Sequence, residues 1–224
     1  MHLRRIPSRG LVFFLATVPA LAIAPCLCAQ SSSAKHTTKS APSSDLDPGS
    51  VTNGVYRNKT LGLTCKIPAG WVLRTDEMNA QDSETPKDSP TENAASSAGA
   101  KVLLAAFSRP PAARGEDVNS SILIAAESVS AYPGLKDAQQ YFGPLAEVAK
   151  AQGFTEDEEP YEIAIGTRTL VRADFHKDVG TRVMRQSTLA LLSHGYAVSI
   201  TLIAGTEDEV EELMDALSFS AVGK

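Results

Sequence analysis

Two turns organise the alternation of apolar and polar residues in the C-terminal half of the chain. His194-Gly195 is a two-residue loop between alternating segments, which pairs Ser193 with Tyr196, Leu191 with Val198 and Leu189 with Ile200. Asp178-Val179-Gly180 suits a three-residue loop with a left-handed Gly180, pairing Lys177 with Thr181. Under those registers Val171, Ala173, Phe175, Val183, Leu189, Leu191, Val198, Ile200 and Leu202 share one face, with Arg185 the exception. The opposite face collects Arg172, Asp174, His176, Arg182, Gln186, Thr188, Ser199 and Thr201. An antiparallel sheet commonly packs one side and wets the other, so solvation alone accounts for such a face. A binding surface there would be built on Arg172, Asp174, His176, Arg182 and Gln186.

The rest of the pattern supplies the remaining elements. Val55–Asn58 and Leu61–Ile67 read as a short hairpin, closed by a turn at Pro68-Ala69-Gly70-Trp71, and Val102–Ser108 and Ile122–Ser130 read as strands. Ala138, Tyr141, Phe142, Leu145, Val148 and Ala149 recur at helical spacing as far as Gly153, and Pro144 predicts a kink or a restart inside that run. Thr206 and Glu209 form a capping box ahead of the stripe Val210, Leu213, Met214 and Leu217, with Glu207, Asp208 and Glu209 at the positive end of the helix dipole. Residues 51–224 therefore read as one α+β domain, mostly antiparallel β-sheet flanked by helices. Within it, residues 76–100 are rich in Ser, Asp, Glu, Pro and Asn and are expected to form a mobile surface loop.

The stretch Tyr56-Arg57-Asn58, then Leu61-Gly62-Leu63, then Ile67-Pro68-Ala69-Gly70-Trp71, resembles the opening of the PsbP-like family. The later order is similar as well: a mid-chain helix, a meander of strands with a His-Gly-Tyr turn, and a closing helix followed by Phe219. The resemblance spans about residues 51 to 220 and implies an α/β/α sandwich. Its members include photosystem assembly factors, a Ran-binding import factor and bacterial exported proteins of unknown role. They share no catalytic residues to transfer, and a common fold does not imply a common activity.

Ahead of the domain, Arg4, Arg5 and Arg9 precede an apolar run from Leu11 to Ala24, which reads as a secretory leader cut between Ala29 and Gln30. That run falls short of the roughly 20 apolar residues a membrane-spanning helix needs. Cys26 is an alternative lipidation site, but Pro25 stands where lipoprotein processing requires a small residue. Residues 30–50, rich in Ser, Thr, Lys, Ala and Pro, read as a disordered tether. Cleavage would leave Cys65 as the one cysteine, alternating with core residues and so expected to be a buried, inert thiol. Losing the leader takes three arginines and no acids from a formal charge of −5, leaving −8. An acidic domain without a basic cluster is a poor partner for nucleic acid or anionic lipid. The expected setting is periplasmic or secreted, with no stable membrane span after cleavage.

No phosphate-binding glycine loop, zinc motif, nucleophile elbow or paired Cys-x-x-Cys occurs after the leader. Ser32-Ser33-Ala34-Lys35 lies in the tether, where no oxyanion hole can be built around it. Asp174 and His176 form a His-carboxylate pair on one strand face, too few ligands for a metal, and Glu156–Glu159 reads as a solvated acidic loop. No cofactor, metal or catalytic constellation is expected. The chain reads as an exported, non-enzymatic binding or assembly module with a protein partner in the cell envelope. The alternative is a small-ligand or anion-binding protein, or an enzyme, using the polar sheet face.

Overall fold

The computed structural model describes residues 46–84, 100–110, 112–113 and 117–220. The leader with its cleavage site and Cys26, residues 30–45 of the expected tether, and residues 85–99 of the expected loop lie outside the described residues. The unit that holds the described residues spans Ser44–Lys224.

Its elements in chain order are β1 (Ser50–Thr52), β2 (Val55–Asn58), β3 (Leu63–Lys66), β4 (Val72–Leu73), α1 (Thr75–Glu84), β5 (Lys101–Phe107), β6 (Ser121–Ser128), α2 (Phe142–Ala151), β7 (Thr155–Glu156), β8 (Tyr161–Ile165), β9 (Arg168–Val179), β10 (Arg182–Ser193), β11 (Tyr196–Ala204), α3 (Glu207–Asp215) and β12 (Leu217–Phe219). A small sheet has the order β1-β2-β3-β12. A large one runs β4-β5-β6-β11-β10-β9-β7, with β8 also paired to β9. The described pairings are all antiparallel. The α+β class read from the pattern is the class observed.

The β10–β11 register is the one the His194-Gly195 turn dictates, with Ser193 opposite Tyr196 and Leu189 opposite Ile200. Both turn residues have positive φ, 52° and 80°, as the commonest two-residue hairpin requires. The β9–β10 register differs from expectation. Its loop is the two residues Gly180-Thr181, Val179 faces Arg182, and Lys177 faces Met184 rather than Thr181. The partner of Lys177 moves by three positions, an odd number, so every β9 side chain changes face. A left-handed Gly180 (φ 64°) at the first loop position fits a tight Gly-x hairpin, and the shorter loop lengthens the ladder.

On one face of the large sheet, Leu104, Ile124, Leu170, Leu189, Val198 and Ile200 join a single cluster. It continues through Val210, Leu213 and Met214 of α3 and Tyr56, Leu63 and Cys65 of the small sheet. The other face carries two separate clusters. One packs Phe142, Ala146 and Ala149 of α2 on Val171, Ala173 and Phe175; the other packs Met78 of α1 on Val102, Ala105 and Leu123. Both faces of the sheet are thus covered.

Three local expectations are also revised. The chain folds ahead of Val51: Leu46 is buried in the main cluster, Asn58 Nδ2 donates to Asp47 O at 2.6 Å, and Tyr56 OH donates to Pro48 O at 3.0 Å. α2 begins at Phe142 rather than near Ala138, which leaves Pro144 in the first turn, where a missing N–H costs nothing. The start of the expected loop is α1, which completes an exposed strand edge. β4 covers only Ala106 and Phe107 of β5. Beyond it, Arg74 N donates to Ala105 O at 2.9 Å and Ala105 N to Thr75 Oγ1 at 3.0 Å. Asn79 accepts from Val102 N at 3.1 Å and donates to Val102 O at 3.0 Å.

Asn79→Ala should therefore leave both backbone groups of Val102 without these partners, costing about 2 kcal/mol in urea unfolding, with new light scattering on storage from the uncovered edge. Alkali tests the core. Burial lifts the Cys65 thiol from 9.0 to about 12 and the Tyr56 hydroxyl from 10.0 to about 12, the latter against a hydrogen bond from Asn58. Both groups are held neutral more strongly by the fold than by the unfolded chain. Their stabilisation is complete below the unfolded values and is lost as pH rises through the folded ones. Urea midpoints should stay level up to about pH 9 and then fall, and Cys65→Ala should delay that fall by about one pH unit. A level profile to about pH 11 would contradict this.

Candidate functional site

The corrected register distributes the five candidate residues over two faces. Arg172, Asp174 and His176 lie on the α3 side, opposite Leu189, Ser187 and Arg185, whereas Gln186 pairs with Phe175 and faces α2. Arg182 shares the Gln186 face by alternation but sits at the hairpin end, where Nη1 donates to Asp117 Oδ1 at 3.2 Å. Asp117 is 92% exposed, so this pair is a surface contact.

Arg172 is the hub of the group that remains together. Its Nε donates to the Asp174 carboxylate at 2.9 Å and its Nη2 to Glu211 Oε1 of α3 at 2.6 Å, while Tyr161 OH donates to Asp174 Oδ2 at 2.9 Å. The guanidinium also lies 5.9 Å from the centre of the Tyr161 ring. Burial works against the Arg172 charge, but the bonds to Glu211 and Asp174 outweigh it and raise its pKa. Burial first, and then the Asp174 carboxylate it serves, push the Tyr161 hydroxyl up to about 12.

His176 and Asp174 do not pair with each other. The His176 ring hydrogen-bonds through Nδ1 to Asp157, just after β7, and Arg185 Nη1 stands 3.6 Å from the other oxygen of that carboxylate. Arg185 Nη2 reaches Glu207 at the start of α3, 3.2 Å away. Two linked sets of charges thus tie α3 and the β7 strand to β9 and β10. Between them lies a cleft of about 380 Å³, lined by six carboxylates (Asp157, Glu158, Asp174, Glu207, Asp208 and Glu211) against the guanidiniums Arg172 and Arg185.

Asp157, Arg185, Glu207 and Glu211 were not among the expected site residues. The signal for Arg185 was its place in an otherwise apolar row, since an arginine on a covered face needs carboxylates brought to it. Asp157 stood in the run read as a solvated loop. In the structure Thr155 and Glu156 form β7 and Asp157 N donates to Asp174 O at 2.9 Å, which turns the Asp157 carboxylate toward His176 and Arg185. Among the described residues, no three His, Cys, Asp or Glu side chains converge so as to hold a metal ion. No described helix is long and apolar enough to cross a membrane. Cys65 is buried in the main cluster, away from the cleft lining.

The architecture defined here is a large antiparallel sheet with α1 and α2 on one side and α3 with a small sheet on the other. No family model matches the chain, and no curated protein does. Among solved structures the chain is similar to cyanobacterial PsbP from Synechocystis, at 13% identity and a TM-score of 0.45 over 77% of this chain and 96% of that one. It is also similar to LpqN of Mycobacterium tuberculosis, described as involved in cell envelope biogenesis, at 15% identity and 0.35 over 78% and 86%. The Ran-binding protein Mog1p of Saccharomyces cerevisiae matches at 13% and 0.36 over 72% and 81%.

Arg172 is the residue whose loss should be felt most. Its side chain is 14% exposed, and Arg172→Ala strips Asp174 and Glu211 of their cation. Urea unfolding should show a loss of about 2 kcal/mol, partly restored in Arg172→Lys, whereas Arg182→Ala should stay within about 0.5 kcal/mol of the parent. Equal effects of the two alanine variants would contradict the account of Arg172 as a half-buried hub.

Proposed function

We propose that this is an exported, non-enzymatic binding or assembly module of the cell envelope, and that a protein partner docks at the carboxylate-lined cleft between β7 and α3. The observation that carries this reading is how the cleft's cations are used. Arg172, Arg185 and His176 are each engaged by a carboxylate of the fold, so the cleft keeps a surplus of negative charge. Such a surface complements a cationic segment of a partner and opposes an anion. The alternative in which Arg172, Arg182 and His176 hold an anion loses its geometric support, because Arg182 projects from the other face. The arginine-led, apolar N-terminal segment supports export.

The test is a pull-down from native envelope extracts with the exported chain and with a Glu158→Lys/Asp208→Lys variant, which leaves the ion-paired residues untouched. The expected result is a partner recovered by the parent, lost with the variant and weakened about tenfold by raising salt from low to physiological strength. Absence of any enriched partner, or equal recovery by the variant, would overturn the reading.

A further inference from the structure

The α2 side of the large sheet contains an unfilled space that the core clusters frame. Apolar packing on that side is split: Met78 of α1 covers the β5–β6 end, and α2 covers the β9–β10 end. Between the two helices, β6, β11 and β10 carry Ser121, Thr201, Thr188 and Gln186 where a continuous core would place aliphatic residues. With Leu123 and Ile203 beside them, these four form the floor of a partly open cavity of about 150 Å³. Gln186 and Thr188 are buried, and Gln186 Nε2 donates to Thr188 Oγ1 at 3.1 Å. The walls are mostly apolar, with Met78 and Phe107 on one side and Leu145 and Val148 on the other, and Gln152 and Arg74 are the polar side chains among them.

We propose that this cavity is a binding site for a neutral, single-ring aromatic molecule bearing a hydroxyl group, a ligand of the phenol class. Size comes first, because a cavity of about 150 Å³ accommodates one six-membered ring. Shape and chemistry follow from the walls: a flat ring fits between two helices lying on a sheet, and a thioether and a phenyl ring favour aromatic contact. The hydroxyl is called for by the floor, whose side-chain hydroxyls and amide can both donate and accept. Neutrality follows from the rim. Arg74, the one cation among the described residues of the lining, is held by both oxygens of Glu77 at 2.8 and 2.7 Å and lies 5.2 Å from the centre of the Phe107 ring, so an anionic ligand would have to displace Glu77. This site lies on the opposite face of the sheet from the ion pairs of the cleft, with Gln186 lining both, and it stands or falls independently of the protein partner.

The chain, expressed with its leader and purified after export, can be titrated with 4-methylphenol, toluene and benzoate while its NMR spectrum is recorded. We expect saturable shifts from 4-methylphenol at Met78, Val148, Thr188 and Thr201, with Glu207 and Glu211 unmoved, and weaker binding of the other two probes. Gln186→Met/Thr201→Val should weaken 4-methylphenol about tenfold and leave toluene unchanged. Val148→Phe, in a chain with parental thermal midpoint and circular dichroism, should abolish both. The proposal is overturned by the absence of saturable shifts, by shifts centred outside the cavity, or by toluene or benzoate binding as tightly as 4-methylphenol. It is also overturned if neither variant changes the titration.

Discussion

The backbone at Gly180-Thr181 decides where the side chains of β9 end up. A two-residue loop with a left-handed glycine sets Val179 opposite Arg182, and the ladder then leaves no freedom along the next eight pairs. One consequence is that Arg172, Asp174 and His176 face α3, where Glu211 and Glu207 meet the cations of β9 and β10. Another is that Val171, Ala173 and Phe175 face α2 and complete its core. A longer loop with an odd register shift would carry the Arg172–Asp174 pair under α2, away from Glu211. Desolvating that pair under α2, without the bond to Glu211, costs more than the turn itself, so packing and electrostatics select the same register.

That double selection also explains which parts of the fold were legible in the sequence. The β10–β11 hairpin could be read because His194-Gly195 is a turn with one favoured geometry and Leu189, Leu191, Val198 and Ile200 alternate cleanly beside it. β9 alternates as cleanly, but its polar set is half-buried and engaged in ion pairs rather than freely solvated. Both sides of the strand are covered, so alternation reports two kinds of burial rather than inside and outside. The period was right and the assignment of faces was not, because the satisfying groups come from α3 and the residues after β7, distant in sequence. Arg185 was the visible anomaly, and it marked the ion-pair side of the sheet.

α1 illustrates a different limit. Its residues carry almost no apolar periodicity, so composition alone described a loop. What holds the helix is hydrogen bonding of Thr75 and Asn79 to the free edge of β5, together with the single apolar anchor Met78. Side-chain hydrogen bonds to a strand edge leave no periodic signature. They also protect the fold, since β4 is too short to cover β5.

The same economy accounts for the space between α1 and α2. A helix held to an edge strand by polar side chains, with one methionine turned inward, cannot lay a continuous apolar surface on the middle of the sheet. α2, centred on β9 and β10, does not extend far enough to close the gap, and the strands beneath set Thr188, Thr201 and Gln186 among Leu123 and Ile203. Filling the floor with aliphatic side chains would bring more apolar burial, so the polar floor is retained against the packing gradient. The large sheet therefore carries two distinct polar arrangements, back to back. On the α3 side, opposite charges are cross-linked and leave an acidic rim; on the α2 side, uncharged polar groups floor a largely apolar space whose rim carries the Arg74–Glu77 pair. A turn of two residues is what keeps the first from intruding on the second.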